Sequence, residues 1–76
     1  MIAAYILIQV APGRSSLFKE IGKIKGVLSA EAVSGPYDII ARAEARTLDE
    51  IAQIVHGSIQ SLAGVTRTLT CPVPKF

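Results

Sequence analysis

The tetrad Ile24-Lys25-Gly26-Val27 returns as Leu62-Ala63-Gly64-Val65 after 38 residues, half the length of the chain. In both copies an apolar helical stretch stops on a glycine and drops straight into a strand. Glycine is the residue that most readily closes a helix in the left-handed conformation, so each half reads as helix, abrupt stop, strand. With 76 residues in all, only one more strand per half can be accommodated. The chain is therefore a single domain, residues 1–76.

The other strands follow from period-two alternation. Ile2, Ala4, Ile6, Ile8 and Val10 point one way, and Ala3, Tyr5, Leu7 and Gln9 the other. Pro12-Gly13 ends that strand. A helix follows, capped by Ser15 or Ser16, with Leu17, Phe18, Ile21 and Ile24 on one stripe, and Gly26 closes it. A second strand is expected over 27–34 and a third over 37–44, joined by Gly35-Pro36. Thr47-Leu48-Asp49-Glu50 is a capping box: the threonine hydroxyl accepts the Glu50 N–H while the Glu50 carboxylate returns to the Thr47 N–H. The helix it opens sets Leu48, Ile51, Ala52, Val55, Ile59 and Leu62 on one face. A fourth strand runs over 65–73, with Pro72 and Pro74 restricting its end to a sheet edge. The order βαββαβ is the α+β, ferredoxin-like split βαβ plan: a four-stranded antiparallel sheet with two helices on one face.

Composition then decides what happens on the other face. Half of the residues are apolar and 18% are charged, while a chain this short buries only about 60–65% of its unfolded surface. Tyr5 and Leu7 fall on the uncovered side. Leaving several hundred Å² of such surface wet is uncommon for a monomer. Two sheets stacked face to face would bury on the order of 1,500 Å², so the expectation is an obligate homodimer, a dimeric α+β barrel.

Several function classes are excluded or disfavoured by counting. One cysteine, Cys71, forms no disulfide framework, and with one histidine, His56, no metal cluster is expected. His56 reads as a flanking or interface residue and Cys71 as a small buried hydrophobe; nothing argues that they form a nucleophile–base pair. No catalytic residue and no cofactor is expected. The net charge of +2 is too small for a nucleic-acid footprint; Lys19, Lys23 and Lys25, with Glu20 among them, read as a solvated helix face. Met1 to Val10 has neither the basic lead nor the cleavage site of a secretory signal and is far short of a membrane span. A cytoplasmic protein is expected.

Two features carry candidate binding chemistry. In Gly35-Pro36-Tyr37-Asp38, the aspartate either satisfies backbone donors within a tight turn or accepts from the α-ammonium group of a zwitterion. Thr68 and Thr70, two apart on one strand face, are either ordinary β-branched strand residues or donors to the carboxylate of the same ligand.

These segments, helix–Gly26-Val27–strand–Gly35-Pro36-Tyr37-Asp38–strand and then Leu62-Ala63-Gly64-Val65-Thr66-Arg67-Thr68, resemble the effector-binding (RAM) domain of the Lrp/AsnC, or feast/famine, transcriptional regulators. The resemblance runs from about Ala4 to Val73. It implies an amino-acid-sensing domain in the regulation of amino acid metabolism, dimeric and assembling further, often to octamers. It also implies a ligand held between subunits by Gly35, Tyr37, Asp38, Thr68 and Thr70. Pro36 stands where relatives often carry an acidic or polar residue, which stiffens the turn. The family's N-terminal helix-turn-helix domain has no counterpart in these residues, so direct DNA binding is not expected of this chain. The chain is similar to stand-alone effector domains, which suggests full-length Lrp/AsnC regulators as further partners, and Met1 directly before the first strand agrees with that form. Relatives often continue with acidic and basic residues after the fourth strand, so the end at Pro74-Lys75-Phe76 is expected to shorten any terminal contribution to assembly. The competing reading is a small dimeric α+β-barrel enzyme, monooxygenase- or isomerase-like, which the fold alone does not exclude. An amino-acid-binding module of the ACT type shares the topology but usually regulates an attached enzyme.

Overall fold

In the computed structural model of the chain, which describes residues 1–74, the opening alternation becomes β1 (Ile2–Val10). It is followed by a 3-10 turn (Ser15–Leu17) and α1 (Phe18–Gly22). Next come β2 (Val27–Ala32) and β3 (Ile39–Ala45). The second half contains α2 (Leu48–Gln53), its π-helical continuation (Ile54–Ile59) and β4 (Val65–Pro72). Lys75 and Phe76, the last residues of the expected domain and of the terminal segment, lie outside the described residues.

The sheet is antiparallel throughout in the order β2-β3-β1-β4. Ala4, Ile6 and Ile8 of β1 stand opposite Ala43, Ala41 and Ile39 of β3, and all six side chains are completely buried. The small alanines of β3 form a floor that lets the helices settle close. Leu17 and Ile21 from the first half, and Ile51, Val55 and Ile59 from the second, fill the space above it. Burying an isoleucine contributes roughly 1.5–3 kcal/mol, and the six largest fully buried side chains are all isoleucine. Both helices thus lie on one face, as the pattern requires.

The differences from expectation are local. No side-chain cap opens the first helix; Arg14 occupies the cap position and the chain enters through the 3-10 turn. The helix also stops at Gly22, after which turn bonds from Lys23, Ile24 and Val27 carry the chain to Gly26 at φ +94°. Half of the capping box forms as drawn: the Glu50 N–H donates to Thr47 Oγ1 at 3.2 Å. The Glu50 carboxylate meets the Thr47 hydroxyl at 3.5 Å instead of returning to the backbone N–H. Leu48, in the first turn, is 50% exposed and stands outside the core stripe. β2 ends two residues early, at Ala32, and the Val33 N–H donates to the Asp38 carbonyl across the connection to β3. β4 is an edge strand, where Pro72 costs no ladder bond.

Candidate functional site

The opposite face of the sheet has no helix over it. Register places Glu31, Ile40, Leu7 and Leu69 in one row across all four strands, and Ser29, Arg42, Tyr5 and Cys71 in the next. Leu69 is 46% exposed and Tyr5 42%. Arg42 Nη1 donates to the Tyr5 hydroxyl at 3.0 Å, with the guanidinium carbon 5.2 Å from the ring centroid. Glu44 adds a 3.8 Å ion pair to the same arginine. The row is apolar at its centre and charged toward one end. Cys71, expected to be buried, is exposed on this face because its register partner is Tyr5 rather than a core residue.

Gly35, Tyr37 and Asp38 lie together in the β2–β3 connection. Gly35 is exposed at φ +141°, a backbone that favours glycine. Tyr37 and Asp38 are half-buried and precede β3 rather than opening it. The reason is the Asp38 side chain. Its Oδ2 accepts the Val10 N–H at 2.9 Å, taking the donor that a longer β3 would have paired, while its own N–H donates to the Ile8 carbonyl. Gln9 Nε2 donates to the Pro36 carbonyl at 2.8 Å and ties the same turn to β1 from the side chain. The structural role open to Asp38 in the sequence is therefore realised.

Thr68 and Thr70 stand opposite Ile8 and Ile6, so they share the face that the helices cover. Both are half-buried. Thr68 Oγ1 accepts from Gln60 Nε2 at 2.8 Å, and Gln60 Oε1 lies 3.0 Å from His56 Nδ1. Gln60 carries no motif in the sequence; what brings it to β4 is the π turn, where the Gln60 N–H donates to the Val55 carbonyl five residues back. The five expected site residues thus form two groups, the Gly35–Asp38 turn at one end of the sheet and Thr68 and Thr70 on β4 from near that end to its middle, with β1 between them. A cleft of about 590 Å³ at the other end is lined by Lys25, Arg46, Glu44, Glu50 and Gln53 among others, and by none of the five. Among the described residues, no group of three or more His, Cys, Asp and Glu side chains converges as a metal site.

A split βαβ sheet with an open face, a hydrogen-bonded aspartate turn and a threonine-bearing edge strand is the frame of a ferredoxin-like ligand-binding domain. The chain belongs to the Lrp/AsnC family, whose ligand-binding domain matches residues 3–75. An uncharacterized HTH-type transcriptional regulator of Pyrococcus furiosus is 32% identical over 71 residues, covering 88% of this chain and 47% of the regulator. The homocitrate synthase of Sulfolobus acidocaldarius is 38% identical over 61 residues, covering 80% of this chain and 13% of the enzyme. The chain therefore spans about half of the matched regulator and a small part of the enzyme. Among solved structures, TTHA0845 from Thermus thermophilus superposes with a TM-score of 0.93 at 32% identity over 100% of this chain and 96% of that one. A Neisseria meningitidis transcriptional regulator, solved as its L-Met complex, shares the fold with a TM-score of 0.83 at 21% identity, over 97% of this chain and 50% of that one. No helix among the described residues is long and apolar enough to cross a membrane.

Proposed function

We propose that this domain senses a free amino acid, held where subunits meet, and passes the signal on through its state of assembly. The observation that carries the reading is the Lrp/AsnC ligand-binding domain match over residues 3–75. The L-Met complex of the Neisseria regulator supports the ligand class. In this reading Asp38 receives the α-ammonium group, its second carboxylate oxygen remaining beside the one that holds Val10. Thr68 and Thr70 donate to the carboxylate, and Gly35 and Tyr37 shape the turn. Because β1 separates the two groups within one chain, a second subunit completes the site.

The open sheet face is the seat of the homodimer. Leu7, Leu69 and Ile40 form its apolar centre, and stacking two copies removes that centre from water. Dimers join further, up to an octamer, and mix with full-length Lrp/AsnC regulators, which supply the contact with DNA. The setting is the cytoplasm, where free amino acids report on metabolism. An effector shifts assembly only by binding one state more tightly than another.

The match within homocitrate synthase favours a second reading, in which the same domain informs an amino-acid biosynthetic enzyme instead of a DNA-binding partner. Thermal-shift screening against the twenty standard amino acids, followed by native mass spectrometry with and without the best binder, tests the proposal. A stabilising amino acid that also changes the mass distribution is expected. No shift with any of the twenty would overturn amino-acid sensing. Mixing with a full-length regulator and finding no mixed particles would remove that partner.

A further inference from the structure

We propose that Gln60 is a positioning residue that fixes the direction of the Thr68 hydroxyl, leaving its proton to donate to a ligand carboxylate; this rests on the reading above that Thr68 holds that carboxylate.

Gln60 Oε1, the atom 3.0 Å from His56 Nδ1, is a carbonyl oxygen and cannot donate, so this contact is a hydrogen bond in the tautomer that carries the proton on Nδ1. The amide then presents its Nε2–H to Thr68 Oγ1 at 2.8 Å. A threonine hydroxyl has one proton and two lone pairs. With a lone pair occupied by Gln60, the O–H is free to turn to another acceptor, and a carboxylate offers only acceptors. Reversing the amide would reverse the outcome: Thr68 would donate to Gln60 and meet the ligand with lone pairs, which repel a carboxylate. With the proton on His56 Nδ1, the relay His56–Gln60–Thr68 selects for an acceptor.

The π turn is what makes the relay possible. A bond spanning five residues inserts one residue relative to an α-helix, and each residue turns the helix by about 100°. That extra step carries Gln60 around to β4 while Val55 and Ile59 stay in the core.

Gln60 is exposed, so its replacement leaves the core intact. Gln60→Glu retains the size but can only accept, and so takes the Thr68 proton for itself. With the standard amino acid that gives the largest thermal shift as probe, calorimetry is expected to show about ten- to hundredfold weaker binding, the range for a hydrogen bond to a charged group. Gln60→Leu, which imposes no direction, is expected to lose less. Binding of the probe's C-terminal amide, which has no carboxylate, is expected to be unchanged by Gln60→Glu. In a Thr68→Val background Gln60→Glu is expected to add nothing. Wild-type affinity in Gln60→Glu, or an undiminished loss on top of Thr68→Val, overturns the inference. Wild-type affinity in Thr68→Val takes the underlying reading down with it. Independently of any ligand, long-range proton–nitrogen NMR reads the His56 tautomer: a proton on Nδ1 supports the orientation, and a proton on Nε2 alone overturns it.

Discussion

The Asp38 carboxylate accepts the Val10 N–H at 2.9 Å across 28 positions of sequence, binding the β2–β3 connection to the end of the central strand β1. The residue expected to meet the effector is thus already a structural acceptor, and the two roles separate experimentally.

Asp38→Ala leaves the half-buried Val10 N–H without its partner and is expected to lower stability by about 1–2 kcal/mol, the cost of an unsatisfied donor. It is also expected to weaken amino-acid binding by about 1–3 kcal/mol through loss of the ammonium partner. Asp38→Asn keeps an oxygen for Val10 but loses the charge, so it should fold nearly as well as the parent and still bind poorly. Urea denaturation and calorimetry on both variants read the two effects. Parental affinity in Asp38→Asn would take Asp38 out of the ligand site.

Leu7→Asp places a charge in the middle of the row it shares with Ile40 and Leu69. If two such faces stack, burying that carboxylate costs several kcal/mol, and the expected product is unfolded or aggregated chain in place of a dimer. Sedimentation of the parent and the variant checks this. A compact, well-behaved 8.1 kDa species in either case would contradict an obligate dimer.

Two glycines are expected to respond to alanine with opposite signs. Gly26 has φ +94°, and a Cβ there would come within 2.6 Å of Ile54 Cδ1. Strain and displacement of the isoleucine together are expected to cost about 1–3 kcal/mol. Gly57 has no such constraint and nothing within 4 Å of a new Cβ, so Gly57→Ala should stabilise by about 0.5–1 kcal/mol through lower unfolded-state entropy. Thermal melts of the two variants decide it.

Thr47→Ala removes the acceptor of the Glu50 N–H at the start of α2. A loss of about 0.5–2 kcal/mol is expected. Denaturant titration with the Thr47→Ser variant, which restores the hydroxyl, shows whether the cap is the cause.

Much of this was legible in the residues. The alternation of β1, the repeated glycine stop before β2 and β4, and the threonine cap of α2 are local signals, each set by neighbours a few positions away. They sufficed for the βαββαβ order and the uncovered sheet face, and the Gly35–Asp38 turn together with the approach to β4 carried the family resemblance. The homocitrate synthase relationship had no such signal, since nothing in a binding domain's own pattern records what it is joined to in a relative.

The sequence by itself determined the four strands, the order of the elements and the core stripe apart from Leu48, because helix and strand periodicity are written into short stretches of chain. Only the tertiary structure decided how those elements meet. The fourth strand could present its threonines to either side, and it is the pairing of Thr68 with Ile8, past an irregularity between Gln9 and Val10, that turns them toward the helices. The π turn that delivers Gln60 and the capture of Val10 by Asp38 belong to the same category. Such features depend on which distant donors and acceptors packing brings together, and hydrogen-bonding partners separated by 28 positions leave no periodic trace in the chain.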